Sequence, residues 1–150
     1  MYSKILESPE KIAQFVSTKI ESKSKWWKQN ACKYKGRKWR SWQDKVIEIL
    51  YRENLEINVK KYGRIRCKTG DVLVIDWLTC CPILEKCKVT GARTITVCSV
   101  LYHAQYQALL SLIDPRLIFT RDYARIRSSL RRGKQRGPKY CREIIHKFRP

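Results

Sequence analysis

Acidic side chains are scarce in this chain. Thirteen Asp and Glu stand against 33 Lys and Arg in 150 residues, a formal net charge of +20. A compact body with that excess repels itself unless polyanions or counterions offset it, so nucleic acid is the first partner class that composition implies. Long apolar runs are missing too. None approaches the roughly eighteen residues a membrane helix needs, and the opening MYSKILESPEKIAQF has no apolar core of signal-peptide length. The expectation is a soluble, intracellular protein with no membrane span. Catalytic constellations are also lacking: Asp71, Asp76, Glu85 and Asp114 stand as lone acids, and neither a phosphate-binding glycine loop nor the H-x-E with P-C-x-x-C signature of zinc deaminases occurs. No enzyme is expected, and no internal repeat is visible.

What is present argues for a folded domain. At 43% hydrophobic, with five Trp, eight Tyr and three Phe, the chain is too apolar and aromatic for a disordered basic tail. Its length suits one domain with appended basic segments. Ser8-Pro9-Glu10 marks a helix start, with a cap, a proline at the first helical position and an early carboxylate. Ile12, Phe15, Val16 and Ile20 then share a face. Ser41-Trp42-Gln43-Asp44 resembles a capping box, and Trp42, Val46, Ile49 and Leu50 predict a helix over about 42–53. From Leu55 the period changes to two, and three antiparallel strands are expected through Leu55-Ile57-Val59, GRIRC and VLVIDWL, with turns at Lys61-Tyr62-Gly63 and Lys68-Thr69-Gly70-Asp71. Residues 94–100, TITVCSV, read either as a fourth strand or as a lead into a helix near 104–113, which Asp114-Pro115 stops. The tail from Arg116 carries twelve Lys and Arg against two acids, with a helix expected over roughly 120–132. The expected fold class is α+β, a small antiparallel sheet with flanking helices and a zinc-stabilised helical segment. Its parts are an N-terminal helix and basic aromatic arm over 1–40, a core over 41–118 and a basic C-terminal tail over 119–150.

Seven cysteines and two histidines complete the inventory. The odd cysteine count and the lack of a secretion signal favour reduced thiols over a disulfide framework. Cys80, Cys81, Cys87, Cys98 and His103 fall close together, and four of them match the soft tetrahedral set that zinc prefers. The spacings lack the C-x2-C knuckle of common fingers, so Cys80, Cys81 and Cys98 also read as small buried hydrophobes and His103 as a polar residue opening a helix. Cys32, Cys67 and Cys141 are bystanders in either case. Zinc here fills four positions with protein ligands and is structural, not catalytic.

Residues 23–40 place Lys23, Lys25, Lys28, Lys33, Lys35, Arg37, Lys38 and Arg40 around Trp26, Trp27 and Trp39, with no acid. One reading has the cations meeting phosphates while the tryptophans stack on unpaired bases. The other makes the tryptophans core and the lysines a solvated face. Arg131 and Arg132 add a second basic cluster. Over Ala104–Ile113, Ala104, Ala108, Leu109 and Leu112 form a narrow small-and-apolar stripe that fits either a partner's groove or the chain's own sheet.

The segment Gln105-Tyr106-Gln107-Ala108-Leu109-Leu110-Ser111-Leu112-Ile113-Asp114-Pro115-Arg116 resembles the SLQYLALAALITPKK segment of primate lentiviral Vif. The Gln-Tyr pair, the Ala-Leu, the Leu-Ile and the Pro coincide without gaps. That family places a zinc motif of the form H-x5-C-x17–18-C-x3–5-H just before this segment, and Cys81-x16-Cys98-x4-His103 lies in the corresponding place. Arg40-Ser41-Trp42 and Gly70-Asp71-Val72-Leu73-Val74-Ile75 are similar to a family helix start and its GDARLVITTYW strand. The resemblance covers about residues 40–118. Ile75 stands near the family's first zinc histidine, so Cys80 or Cys87 must complete the set. His103-Ala104 replaces the Ser-Leu opening, and Phe119-Thr120-Arg121-Asp122 replaces the PPLP segment. What the resemblance implies is a viral accessory adaptor, in host cytoplasm, nucleus or virion. Its zinc-steadied helix, with Ala104, Gln105, Ala108, Leu109 and Leu112 at the contact, would recruit elongin B/C and a cullin ubiquitin ligase against an APOBEC-family deaminase. The rival expectation is a basic zinc-containing RNA-binding protein without a ligase role.

Overall fold

The computed structural model of the chain describes residues 1–78, 87, 94–122 and 141–150. It is α+β, with helices on one face of a four-stranded antiparallel sheet in the order β1-β2-β4-β3. Helix α1, Tyr2–Leu6, leads into α2, Pro9–Asn30, whose first turn is capped as the sequence predicts: Ser8 Oγ accepts from the Lys11 amide at 3.2 Å and Pro9 opens the helix. A 3-10 turn, Ala31–Tyr34, ends the N-terminal layer. Helix α3, Trp42–Val46, starts at the predicted box, where Ser41 Oγ accepts from the Asp44 amide at 3.2 Å and donates to Asp44 Oδ2 at 3.0 Å. It continues as a wider π-helical stretch, Ile47–Asn54.

Leu55, Ile57 and Val59 do not form the expected strand. Glu56 takes a left-handed φ of 55°, which breaks extension, and Asn58 caps a short helix α4, Val59–Tyr62, by accepting from the Lys61 amide at 3.1 Å. Strands β1, Gly63–Thr69, and β2, Val72–Trp77, follow as a hairpin. Gly70 supplies the left-handed first position of its two-residue loop with φ 55°. Trp42 Nε1 and Gln43 Nε2 each donate to the Gly70 carbonyl at 3.0 Å, so the start of α3 holds the hairpin tip.

TITVCSV is helical: α5, Thr94–Thr96, a π-helical stretch, Val97–Tyr102, and α6, His103–Ile113, run on. Residues read as a basic tail supply half of the sheet, β3 over Leu117–Asp122 and β4 over Cys141–Lys147. Where a helix over roughly 120–132 is expected, residues 120–122 are strand, LIFTRD turning Leu117, Phe119 and Arg121 inward while Thr120 is exposed, and residues 123–132 lie outside the described residues.

The main core lies between the sheet and the helices. Leu73 and Ile75 of β2, Leu117 and Phe119 of β3 and Ile145 of β4 pack on Ile49, Leu50, Tyr51, Leu109 and Leu110. At roughly 1.5–3 kcal/mol for each large apolar side chain fully removed from water, these residues dominate the stability. A second cluster under α1 gathers Tyr2, Cys87, Val97, Cys98 and Leu101.

Both sheet edges are protected. On β1 the register shifts between Ile65 and Cys67, so Arg66 bulges out and its Nε lies 2.7 Å from Asp76 Oδ2. On β3, Gln107 of α6 behaves like a piece of neighbouring strand. Its Oε1 accepts from the Phe119 amide and its Nε2 donates to the Leu117 carbonyl, both at 2.8 Å. Gln107→Leu removes both partners at once and leaves two backbone groups unpaired, a cost of about 1–3 kcal/mol for each group that water cannot reach. A fall in urea midpoint is the expected result; an unchanged midpoint means that water replaces the amide fully.

Candidate docking helix and basic belt

Helix α6 buries two sides and leaves one. Gln105, Tyr106, Leu109, Leu110 and Ile113 are buried, and Gln107 is tied to the sheet edge. Of the five residues expected to dock, Gln105 and Leu109 therefore belong to the chain's own interior. The reason is angular: Leu109 lies one residue beyond Ala108, about 100° around the helix, and that rotation carries it into the core. Ala104 and Ala108 are half-buried, and Leu112 is 40% exposed. Val100, 36% exposed, extends the same line at four-residue intervals through Ala104, Ala108 and Leu112. Sequence reasoning missed Val100 because a strand register was kept open for TITVCSV.

At the head of α6, His103 sets its ring against Phe119 with centroids 5.4 Å apart. Burial, and then the Arg121 guanidinium, push its pKa down, so the imidazole is neutral. At the foot, Asp114 accepts from Arg116 Nε at 3.0 Å and lies 3.0 Å from Lys147 Nζ. Arg116, with those partners, holds the Asp114 carboxyl far below the usual range. The outward stripe between these ends carries no charge.

For the candidate metal ligands, Cys87 and Cys98 are buried in the same cluster. Cys80 and Cys81 lie outside the described residues. Among the described residues, no three His, Cys, Asp or Glu side chains gather as a metal-holding group. The described part thus brings two thiols of the set together, and turns His103 toward Phe119.

Seven of the eight cations expected between Lys23 and Arg40 are exposed, from Lys25 through Arg40. Lys23 is the exception. Its ammonium donates to Asn54 Oδ1 and lies 6.0 Å from the centre of the Tyr106 ring; burial, and then Lys19, lower its pKa to about 8. It therefore joins α2 to the body of the protein. Trp26, Trp27 and Trp39 are half-buried and pack against the main core. Trp27 stacks on Tyr34 at 6.1 Å and 12°, and the Arg37 guanidinium covers Trp39 at 4.2 Å. Arg131 and Arg132 lie outside the described residues.

No family model, curated protein or solved structure matches this chain. No helix among the described residues is long and apolar enough to cross a membrane.

Proposed function

We propose that the chain is a non-enzymatic adaptor of the lentiviral Vif kind. In this reading α6 docks in a groove of elongin C within elongin B/C, a cullin ubiquitin ligase assembles on the pair, and the target is an APOBEC-family deaminase in host cytoplasm, nucleus or virion. One observation carries it. The segment that resembles the family's docking helix also carries a small and apolar outward line, with Val100 and Leu112 exposed and Ala104 and Ala108 half-buried between them. Affinity capture from cell lysate with mass spectrometry tests it: elongins and a cullin support the adaptor, and their absence from a capture that retains other proteins removes it.

The proposal includes a structural zinc held by Cys87 and Cys98 with two of Cys80, Cys81 and His103. Shared burial of two thiols and a neutral imidazole suit that donor set. Metal analysis of the purified protein is expected to find one equivalent of zinc, and Cys98→Ser to lower the melting temperature. A metal-free protein whose variant melts unchanged rejects the site.

A second reading, an RNA-binding protein with no ligase role, is favoured by the net charge of +20 and by the exposed cations between Lys25 and Arg40. The two are compatible, since an adaptor that must reach an RNA-bound target gains from phosphate attraction. Capture of ribosomal proteins alone, lost on ribonuclease treatment, selects the second.

A further inference from the structure

We infer that the chain from Lys25 to Arg40 is a clamp for the phosphate backbone of nucleic acid, indifferent to base identity and to strand number. This deepens the nucleic-acid reading above and rests on it.

The first support is where the acids lie. On the sheet and its hairpin, carboxylates are taken up by nearby cations: Asp76 by Arg66 and Arg142, Asp44 by Lys68, Glu143 by Arg121 and Asp71 by Arg149, although Lys60, Lys61 and Arg64 have no such partner among the described residues. Lys25, Lys28, Lys33, Lys35, Lys38 and Arg40 have no ion pair among the described residues, although all six are exposed. Glu53 and Glu48 lie near enough to help burial raise the Tyr34 pKa, yet Glu48 is held by Arg52 at 3.1 Å. The belt is left positive.

The second support is anchoring. Buried Tyr34 and half-buried Trp26, Trp27 and Trp39 fix the stretch to the main core, so its cations are presented on a held backbone. Backbone ordering then adds little to the entropic cost of binding.

The third support concerns the bases. The tryptophans that would stack on unpaired bases are turned to the core, with one face of Trp27 on Tyr34 and one face of Trp39 under Arg37. Asn30, an amide that could read a base edge, has its Nδ2 donating to the Trp26 carbonyl at 2.8 Å and its Oδ1 accepting from Lys33 at 2.6 Å. What remains outward is chiefly ammonium and guanidinium, seven cations against one exposed amide, Gln29, and one thiol, Cys32. Phosphate contacts of this kind position a nucleic acid without reading its sequence. An anionic membrane fits less well, because the exposed large hydrophobic residues, Met1, Val100, Leu112, Ile118 and Phe148, all lie outside this stretch and leave it nothing to insert.

The test measures affinity of the full chain for duplex and single-stranded oligonucleotides of unrelated sequence across a salt series. Six neutralised phosphates predict a log–log slope of about −5 on duplex DNA and about −4 on single strands, hence about a thousandfold loss on duplex between 50 and 200 mM salt. Lys33→Gln/Lys35→Gln/Lys38→Gln should cut the duplex slope to about −3, with only about fortyfold loss over the same range, while the melting temperature stays unchanged. A chain that binds no nucleic acid at all refutes the underlying reading. Tight binding with the triple variant's slope intact, a more than tenfold preference for single strands or for one sequence, or tighter binding to phosphatidylserine vesicles each overturns the clamp alone.

Discussion

Replacing Glu143 with alanine is expected to lower folding stability by about 3–5 kcal/mol, the usual result of stranding one member of a buried ion pair. The Arg121 and Glu143 side chains are 4% and 7% exposed and meet at 2.9 Å. Arg121 Nε and Nη2 both donate to Glu143 Oε1, while the Tyr51 hydroxyl donates to Oε2 at 2.7 Å. The guanidinium also sits 4.9 Å from the ring centres of both Tyr106 and Phe119. Burial opposes its charge, but Glu143 and then Tyr106 and Cys98 more than offset that, and its pKa is held well above the usual value. Without the carboxylate the cation stays in the core, since arginine does not deprotonate in proteins, and a phenol and a guanidinium lose their acceptor together. Urea unfolding measures the effect. Glu143→Gln, which keeps an acceptor, should cost less, and Arg121→Met/Glu143→Leu should regain part of the loss, because an apolar pair of similar volume removes the stranded cation while the Tyr51 hydroxyl still lacks its acceptor. A single alanine variant within 1 kcal/mol of the parent, or a double variant worse than the single, rules out the pair as an energetically important buried link between β3 and β4.

That pair also explains how far the sequence could be read. Both helix caps at Ser8 and Ser41, the GRIRC and VLVIDWL strands and the stop at Asp114-Pro115 stand where local chemistry places them, because caps, turns and proline act over a few residues. Strands β3 and β4 escaped detection because their inward positions include Arg121 and Glu143. A charge at an inward position erases the apolar alternation by which a half-buried strand is recognised, and only the partner strand, more than twenty residues away, makes it tolerable. The opposite error occurred at Leu55-Ile57-Val59, where real alternation was overridden by left-handed Glu56 and the Asn58 cap. At the candidate site, charge density was legible and side-chain direction was not. Trp26, Trp27 and Trp39 look alike in a basic run whether they face bases or core, and Tyr34 and Arg37, which engage Trp27 and Trp39, become visible only once the chain folds back.

Leu112→Asp is expected to abolish elongin capture while leaving the fold and nucleic-acid binding intact, and it is the substitution that separates docking from packing on α6. In the free chain Leu112 is 40% exposed, so a carboxylate there keeps its water and changes stability by no more than about 0.5 kcal/mol. Inside an apolar groove the same carboxylate loses hydration without a partner, at several kcal/mol. Every 1.4 kcal/mol is tenfold in affinity, so a loss of about a hundredfold or more is expected. Ala108→Asp, half-buried on the same line, should act in the same direction with a larger effect on stability. Leu109→Asp is the contrast: Leu109 is fully buried among Leu50, Leu110 and Phe119 in the main core, and a charge there should unfold the chain and remove every activity together. Elongin capture, oligonucleotide affinity and circular dichroism on the three variants distinguish the cases. Capture that survives Leu112→Asp means the stripe is not the docking surface, whatever else the chain binds. Capture lost with circular dichroism and oligonucleotide affinity unchanged ties recruitment to the outward face of α6, because the substitution alters nothing in the core or the basic belt.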